Sequence, residues 1–545
     1  MRRFIEGIAQ QWRRMTMLKI LGAIILGVII ADCVTFPLWS VAVGFVVTVS
    51  MAWVLRRRAM ADIYVMAAAA LAAMITLSVG DNIKPQLPSQ NERVSIIIED
   101  ITSKRGDYLS ATGYILSAER SERGDSNRPL RVRITADKAS DISSSEMVEG
   151  HFRLRPFLRD GAKSYERYMA RRGYVGGVNI KASQILSRQS IKPSWAMQLR
   201  QKAEQRIGLM GLSPAVESLA KGVTTGSRAE ISATLRKDYT LCGAAHLLAV
   251  SGLHVGFIFV MINIILGGLA LVRRGPIIRS VVTIVAIWVY AAMTGATPSV
   301  VRAALMFSIF QLSTISSRQS HPLNRLAATA SIMLLWDGRW LYDVGFLLSF
   351  ISVAAIIEWS APLTALGYRV TSLRRKARSE EDRLRRIRSR WGWLHFIAQW
   401  AVRSIWAAFA VGVVASIATM PLVSMMFGVV TLWSIVIGPL MVLLCSIVVG
   451  ATMVHIVVGY GPLTDIIGQV VEWAGGTMNA IAAWCSSCDA LTAEWQMSMP
   501  WLILCYGVFV AATITLWGIQ NSELIIADSS ALTGTSSTLE EELIG

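Results

Sequence analysis

LCGAAHLLAVSGLHVGFIFVMINIILGGLALV, residues 241–272, contains no Asp, Glu, Lys or Arg. A hydrocarbon core about 30 Å thick needs about 20 apolar residues in a helix, and this stretch is longer than that. Similar apolar blocks occur at 19–34, 40–55, 60–79, 281–297, 299–315, 326–336, 341–361, 398–420, 431–458, 463–485 and 499–518. Over the 545 residues, 53% are apolar and only 16% charged, against about 25% charged in soluble domains. The chain therefore reads as a polytopic α-helical membrane protein. Block 326–336 is short for a crossing and reads as half a span.

Charge sets the topology. Lys and Arg are retained on the cytoplasmic side of membrane spans. Arg13, Arg14 and Lys19 precede the first block, and Arg56–Arg58 separate the second from the third. With the N-terminus inside, the third span exits, so the chain after residue 82 lies outside the cytoplasm. Re-entry at 241 then places Arg273, Arg274, Arg318 and Arg325 inside, together with segment 366–395. That segment carries ten basic residues against three acidic ones. The first block has no convincing cleavage site after it and reads as a retained span.

Residues 83–205 differ in kind, with 22 Lys and Arg against 14 Asp and Glu, a net charge of +8. Apolar and polar residues alternate over Val94–Ile98, Leu109–Leu116, Leu130–Ile134 and His151–Phe157, the period of a half-buried strand. A small extracytoplasmic β-barrel over 83–190, inserted into the membrane chain, is expected. Arg131, Arg133, Arg153 and Arg155 on its strands, with Tyr108, Phe152 and Phe157, could hold single-stranded nucleic acid by charge and stacking; an ordinary solvated face is the alternative. Residues 191–240 read as amphipathic linker helices beside the membrane core or along its surface. Residues 1–82 form the N-terminal transmembrane segments and 241–518 the main membrane domain. Residues 519–545, without Lys or Arg, read as a disordered acidic tail.

Polar side chains amid apolar sequence mark candidate chemistry, because they are costly in lipid and need partners. His246, Ser251 and His254 stand in GAAHLLAVSGLHVG, with Gly252 and Gly256 allowing a bend or close packing. On an unbroken helix the two histidines would point about 80° apart and could border one cavity; satisfied packing at a kink is the alternative. Arg302 follows Gly295 and Pro298 in TGATPSVVRAALM. Facing inward, it is a fixed cation suited to phosphate. Asp343 opens an apolar helix, where it can cap the helix or pair with Arg302 or His254. Pro421, Gly428 and Pro439 suggest two broken or tilted elements around a short turn. No nucleotide-binding loop, zinc-protease signature or dinucleotide fingerprint is present, so no cofactor and no metal are expected. Ser251 and His254 raise an intramembrane hydrolase, but no orienting third residue is identifiable. Cys485 and Cys488 form a C-x-x-C able to close a disulfide in an oxidising compartment. Cys33, Cys242, Cys445 and Cys505 read as small buried hydrophobes.

The run Ala245–Val255 resembles, nearly residue for residue, the signature of the bacterial competence family known as ComEC/Rec2. Thr294–Ser299 with Arg302 is similar to its second block. Gly345–Phe350 is similar to its third, with Leu347 where glutamine is usual, and Thr419–Pro421, Phe427–Gly428 and Pro439 to its fourth. Tyr165–Tyr168 with Arg171, Arg172 and Gly173 resembles the closing element of its OB-like domain, which adds Arg171 and Arg172 to the DNA-binding candidates. The resemblance implies transport of single-stranded DNA across the cytoplasmic (inner) membrane during uptake for transformation. It implies an extracytoplasmic DNA receptor outside, and a cytoplasmic ATPase and single-strand binding or recombination proteins inside. Family members often continue into a metallo-β-lactamase-like domain, for which this sequence has no His/Asp cluster, so a separate nuclease is expected. A transporter of another anionic polymer or of a lipid-linked sugar shares the spans and Arg302.

Overall fold

The computed structural model describes residues 2–34, 36–56, 61–81, 93–105, 107–118, 130–157, 166, 169–170, 173–315, 321–370, 392–459, 461–488 and 492–519. Arg171, Arg172, most of Tyr165–Tyr168, most of the basic segment 366–395 and nearly all of the acidic tail lie outside these residues.

Four helices open the chain: α1 (Arg2–Arg14), α2 (Thr16–Cys33), α3 (Leu38–Val54) and α4 (Ala61–Asp81). Seven strands follow: β1 (Val94–Arg105), β2 (Tyr108–Ala118), β3 (Leu130–Asp137), β4 (Glu146–Gly150), β5 (Arg153–Pro156), β6 (Gly176–Ile180) and β7 (Ile185–Ser190). Next come α5 (Trp195–Gly208), α6 (Pro214–Thr225), α7 (Ala233–Leu241), α8 (Gly252–Ile265), α9 (Gly275–Met293), α10 (Pro298–Ile315), α11 (Pro322–Trp336), α12 (Val344–Val370) and α13 (Gly392–Phe427). Strand β8 (Val429–Thr431), α14 (Trp433–Val436), α15 (Gly438–Val458), α16 (Thr464–Ser486) and β9 (Thr492–Glu494) precede the last helix, α17 (Met499–Ile519).

Among the described residues, seven helices are long and apolar enough to cross a membrane: α2, α8, α9, α12, α13, α15 and α17. Their outer faces are also apolar. In α2 only Ile24, Gly27 and Val28 are buried, while Ile264, Ile265, Val457 and Ile503 are each at least 70% exposed. An aqueous surface would not present such continuous apolar area, so these faces meet lipid and the protein is a multi-pass membrane protein. Helix α11, over the short block 326–336, is not among the seven.

The strands form one sheet, in the order β5-β6-β3-β2-β1-β4-β7. All pairs are antiparallel except β3 with β6. One face buries Val94, Ile96, Ile98, Val132, Ile134, Val148, Phe152 and Leu154. Irregularities in the β1–β2 register after Ser95, Ile98 and Ile101 add local twist and bend, so the sheet curls into a half-barrel. The expected closed barrel does not form: β5 and β7 remain edges with no ladder between them. The chemistry of the two edges explains this. Strand β5 has four residues and ends at Pro156, which lacks a donor for further pairing. Strand β7, ILSRQS, is exposed over all but its first residue.

A second correction concerns the stacking aromatics. Phe152 and Phe157 are buried, at 1% and 6% exposure, and belong to the core; Tyr108 remains 60% exposed. The linker helices also differ from a surface layer. In α6, Val216, Ser218–Ala220 and Gly222–Thr225 are all buried, because PAVESLAKGVTT spaces its few charges on one side and small residues elsewhere. Helix α6 is inserted into the main core with α8, α10 and α15.

Candidate functional site

The signature stretch is not one helix. After α7 the chain turns at Gly243, where φ is +75°. A short 3-10 turn spans Ala245–Leu248, Ala249 is extended, and Ser251 is the N-cap of α8. Irregular backbone at membrane depth is tolerated only where protein or a water-filled cavity satisfies it.

The two histidines occupy different surroundings. His254 is 1% exposed. The Ser251 backbone N–H donates to its Nδ1 at 3.1 Å, and Nε2 lies 3.2 Å from Cys445 Sγ on α15. A ring nitrogen that accepts carries no proton, so Nε2–H is the donor toward sulfur. Both nitrogens are engaged in a dry contact that locks the start of α8 onto α15. His246, in the 3-10 turn before α8, is exposed. The histidines are electrostatic neighbours. No ring nitrogen of His254 is left to take a proton from the Ser251 hydroxyl, which weighs against the hydrolase alternative.

Gly252 and Gly256 lie one turn apart on α8. A Cβ on Gly252 would stand 3.4 Å from Ala303 Cβ, and one on Gly256 3.0 Å from the Phe307 ring. Small residues thus bring α8 close to α10, and Arg302 is next to the contact. Its guanidinium points the other way, toward the start of α12. It is 1% exposed; Nη2 donates to the Gly345 carbonyl at 2.7 Å, and its Cζ lies 5.9 Å from the Phe346 ring centroid. Among the described residues, its buried Nε and Nη1 have no hydrogen-bond partner. Asp343 interacts electrostatically with Arg302, and its Oδ1 accepts from the Phe346 N–H at 2.8 Å. Asp343 therefore both caps α12 and faces Arg302; His254 belongs to the separate cluster across α10.

Gly295, with φ +80°, turns the chain between α9 and α10. Pro298 and Pro439 stand in the first turns of α10 and α15, where a missing N–H costs nothing. Pro421 lies inside the 36-residue α13, and Gly428, with φ +69°, ends it.

The sheet is joined to this centre by a relay built on the buried Arg200. Arg200 on α5 is 6% exposed. It donates to Asp100 on β1 at 3.3 Å and to Glu204 at 3.0 Å. Thr225 donates to the same Glu204 oxygen at 3.1 Å. The next residue, Gly226, approaches Thr294 O and Val250, one residue from each of the two sequence motifs. On the outer face of the sheet, Arg133, Gly177 and Arg155 are register partners across β3, β6 and β5. Arg131 pairs with Glu99 at 3.6 Å and stacks on Tyr174, and Arg155 pairs with Glu166 at 3.7 Å. Arg153 is exposed and Arg133 partly so.

Residues 223–520, more than half of the chain, match the family described as Competence protein. The chain belongs to the Competence protein family. This competence-family chain is 29% identical over 150 residues to ComE operon protein 3 of Bacillus subtilis (strain 168), covering 27% of the chain and 19% of that protein. It is 30% identical over 132 residues to an uncharacterized protein of Aquifex aeolicus (strain VF5), covering 24% of the chain and 30% of that protein. The matches thus span well under two thirds of either relative. No solved structure matches the chain.

Two features of the competence-family chain escape a reading of motifs. Glu358 lies within the membrane-length part of α12 and accepts a 2.5 Å hydrogen bond from Trp517 Nε1. Its acidic side chain in an apolar block was the available signal. The Asp100–Arg200–Glu204 relay had none, since Asp100 is 100 residues from Arg200 in sequence. Among the described residues no group of three or more His, Cys, Asp or Glu could hold a metal ion.

The histidine geometry gives an expected result. His254→Ala strands the Ser251 N–H and opens a cavity at Cys445. It should destabilise the protein by about 2–4 kcal/mol, read as a lowered unfolding midpoint in detergent. His246→Ala, on an accessible side chain, should change stability by less than about 0.5 kcal/mol.

Proposed function

We propose that the protein moves single-stranded DNA across the cytoplasmic membrane, with the half-barrel on the extracytoplasmic side receiving the strand. Family membership supports the process. The observation that carries the anion chemistry is Arg302: a buried guanidinium beside lipid-length helices, held by the Gly345 carbonyl, with Nε and Nη1 without a partner among the described residues. A buried cationic donor left incomplete is costly, and a phosphate oxygen or the water it carries would complete it. His246 lines the route and gates it together with the 243–251 turn, while Ser251, His254, Gly252 and Gly256 hold that turn against α15 and α10. Asp343 fixes the guanidinium. The OB-like character of the sheet is that of an open, basic outer face, where Arg133 and Arg153 meet backbone phosphates. The DNA receptor outside, the ATPase and strand-binding proteins inside, and a separate nuclease complete the process in this reading.

Binding of the full chain in detergent to labelled single strands tests it. Affinity should fall steeply with salt and show little sequence preference. Arg133→Gln with Arg153→Gln should reduce the slope of log K against log salt by about 1.4, at roughly 0.7 per phosphate contact. Binding of an acidic polysaccharide or a lipid-linked sugar in preference to DNA would overturn the assignment of substrate.

A further inference from the structure

The cysteines pair differently from their spacing in sequence. All six are free thiols in the structure. Cys485 has Cys242 as well as Cys488 for a neighbour: Cys242 and Cys485 belong to one buried core, each is 1% exposed, and the two thiols interact. The elements that carry them are fixed together on both sides of the pair. Ser486 Oγ donates to Asp238 Oδ1 at 2.7 Å, and Tyr239 OH donates to Asn479 Oδ1 at 3.0 Å. Cys488 is partly exposed. Its N–H donates to Cys485 O at 3.2 Å, and its own carbonyl accepts from Trp433 Nε1 at 3.3 Å.

We infer that Cys242 and Cys485 are a disulfide site, with Cys488 as the thiol through which oxidation enters. Two neighbouring buried thiols on elements held in fixed relation are the arrangement a disulfide requires. Cys488, the accessible member, attacks an external disulfide of the glutathione class as its thiolate and releases one thiol. The Cys485 thiolate displaces the second thiol, closing Cys485–Cys488. The Cys242 thiolate then attacks Cys485, and Cys488 leaves and regains a proton. Two electrons and two protons pass from Cys242 and Cys485 to the external disulfide, which becomes two thiols. The bond would fasten the end of α7, immediately before the Gly243 turn, to the end of α16. Oxidation in the cell rests on the extracytoplasmic placement of this end; formation of the bond in isolated membranes does not.

Membranes containing the full chain would be treated with oxidised glutathione, denatured, and labelled with a thiol-reactive mass tag. The expected result is loss of two of the six reactive thiols, restored by reductant. Mass spectrometry should find a linked Cys242–Cys485 peptide. Cys242→Ala and Cys485→Ala should each abolish that peptide, and Cys488→Ala should slow its formation. Six reactive thiols after oxidation, or a linked Cys485–Cys488 peptide as the end product, would overturn the site. An unchanged rate in Cys488→Ala would overturn the entry role.

Discussion

Arg302→Met is expected to reduce DNA uptake roughly 10- to 150-fold while the amount of protein in the membrane stays near wild type. The size follows from one charge-assisted hydrogen bond to the substrate, about 1.5–3 kcal/mol, at about 1.4 kcal/mol per factor of ten. The stability half of the expectation comes from the same geometry. Arg302 donates one hydrogen bond, to the Gly345 carbonyl, and among the described residues its other two nitrogens have no partner. A buried ion replaced by a well-packed apolar group is often neutral or stabilising. Asp343 loses its cation but keeps the Phe346 N–H at the start of α12, where the helix dipole favours a carboxylate. The double variant Arg302→Met, Asp343→Asn removes the remaining charge and should accumulate at least as well as the single one. Uptake of labelled DNA and immunoblotting of membranes read both quantities. Wild-type uptake at wild-type abundance would remove Arg302 from the route. Loss of protein in both variants would make it a structural residue.

Gly243→Val should be among the most damaging single changes in the signature stretch. A left-handed backbone costs a side-chain-bearing residue about 1–2 kcal/mol, and branching at Cβ raises the cost. The Cβ itself would stand 2.8 Å from Ser434 Cβ and from Thr431 Cγ2, and relieving such overlap costs about 1–3 kcal/mol more. Together these predict about 2–5 kcal/mol of destabilisation and a clear fall in membrane-inserted protein. Gly252→Ala is the control: its Cβ meets Ala303 at an ordinary 3.4 Å, and a change within about 1 kcal/mol is expected. Equal unfolding midpoints for Gly243→Val and wild type would mean that the turn before His246 is not built this way.

Seven of the expected spans and the sheet residues were legible for a physical reason: lipid demands a long apolar run and a half-buried strand imposes a period on the sequence. Val132, Ile134 and Leu154 alternate with Arg131, Arg133, Arg153 and Arg155, and the structure puts the two sets on opposite faces. Closure of the barrel was not legible, because it depends on whether β5 and β7 meet, and no local pattern encodes that. The same holds for β4, β6 and β7, which are short or carry few apolar residues. In the site, sequence located polar groups but could not say which faced which. His246 and His254, eight residues apart, fall in different surroundings because the chain breaks between them. Asp343 found Arg302 through the packing of α10 against α12. The C-x-x-C spacing drew attention to Cys488, although Cys242 shares a buried core with Cys485 from 243 positions away in sequence.

Strand β1 runs beyond its pairing with β4, which ends at Ile98, and its continuation carries Asp100 to Arg200 and Ser103 to Arg236. The half-barrel is thereby bolted to the membrane body rather than tethered to it. Tension on a strand gripped by the outer face would be borne by Arg200, passed through Glu204 to Thr225, and delivered beside Val250 and Thr294. The receiving surface and the threshold of the route would then yield or hold as one mechanical part.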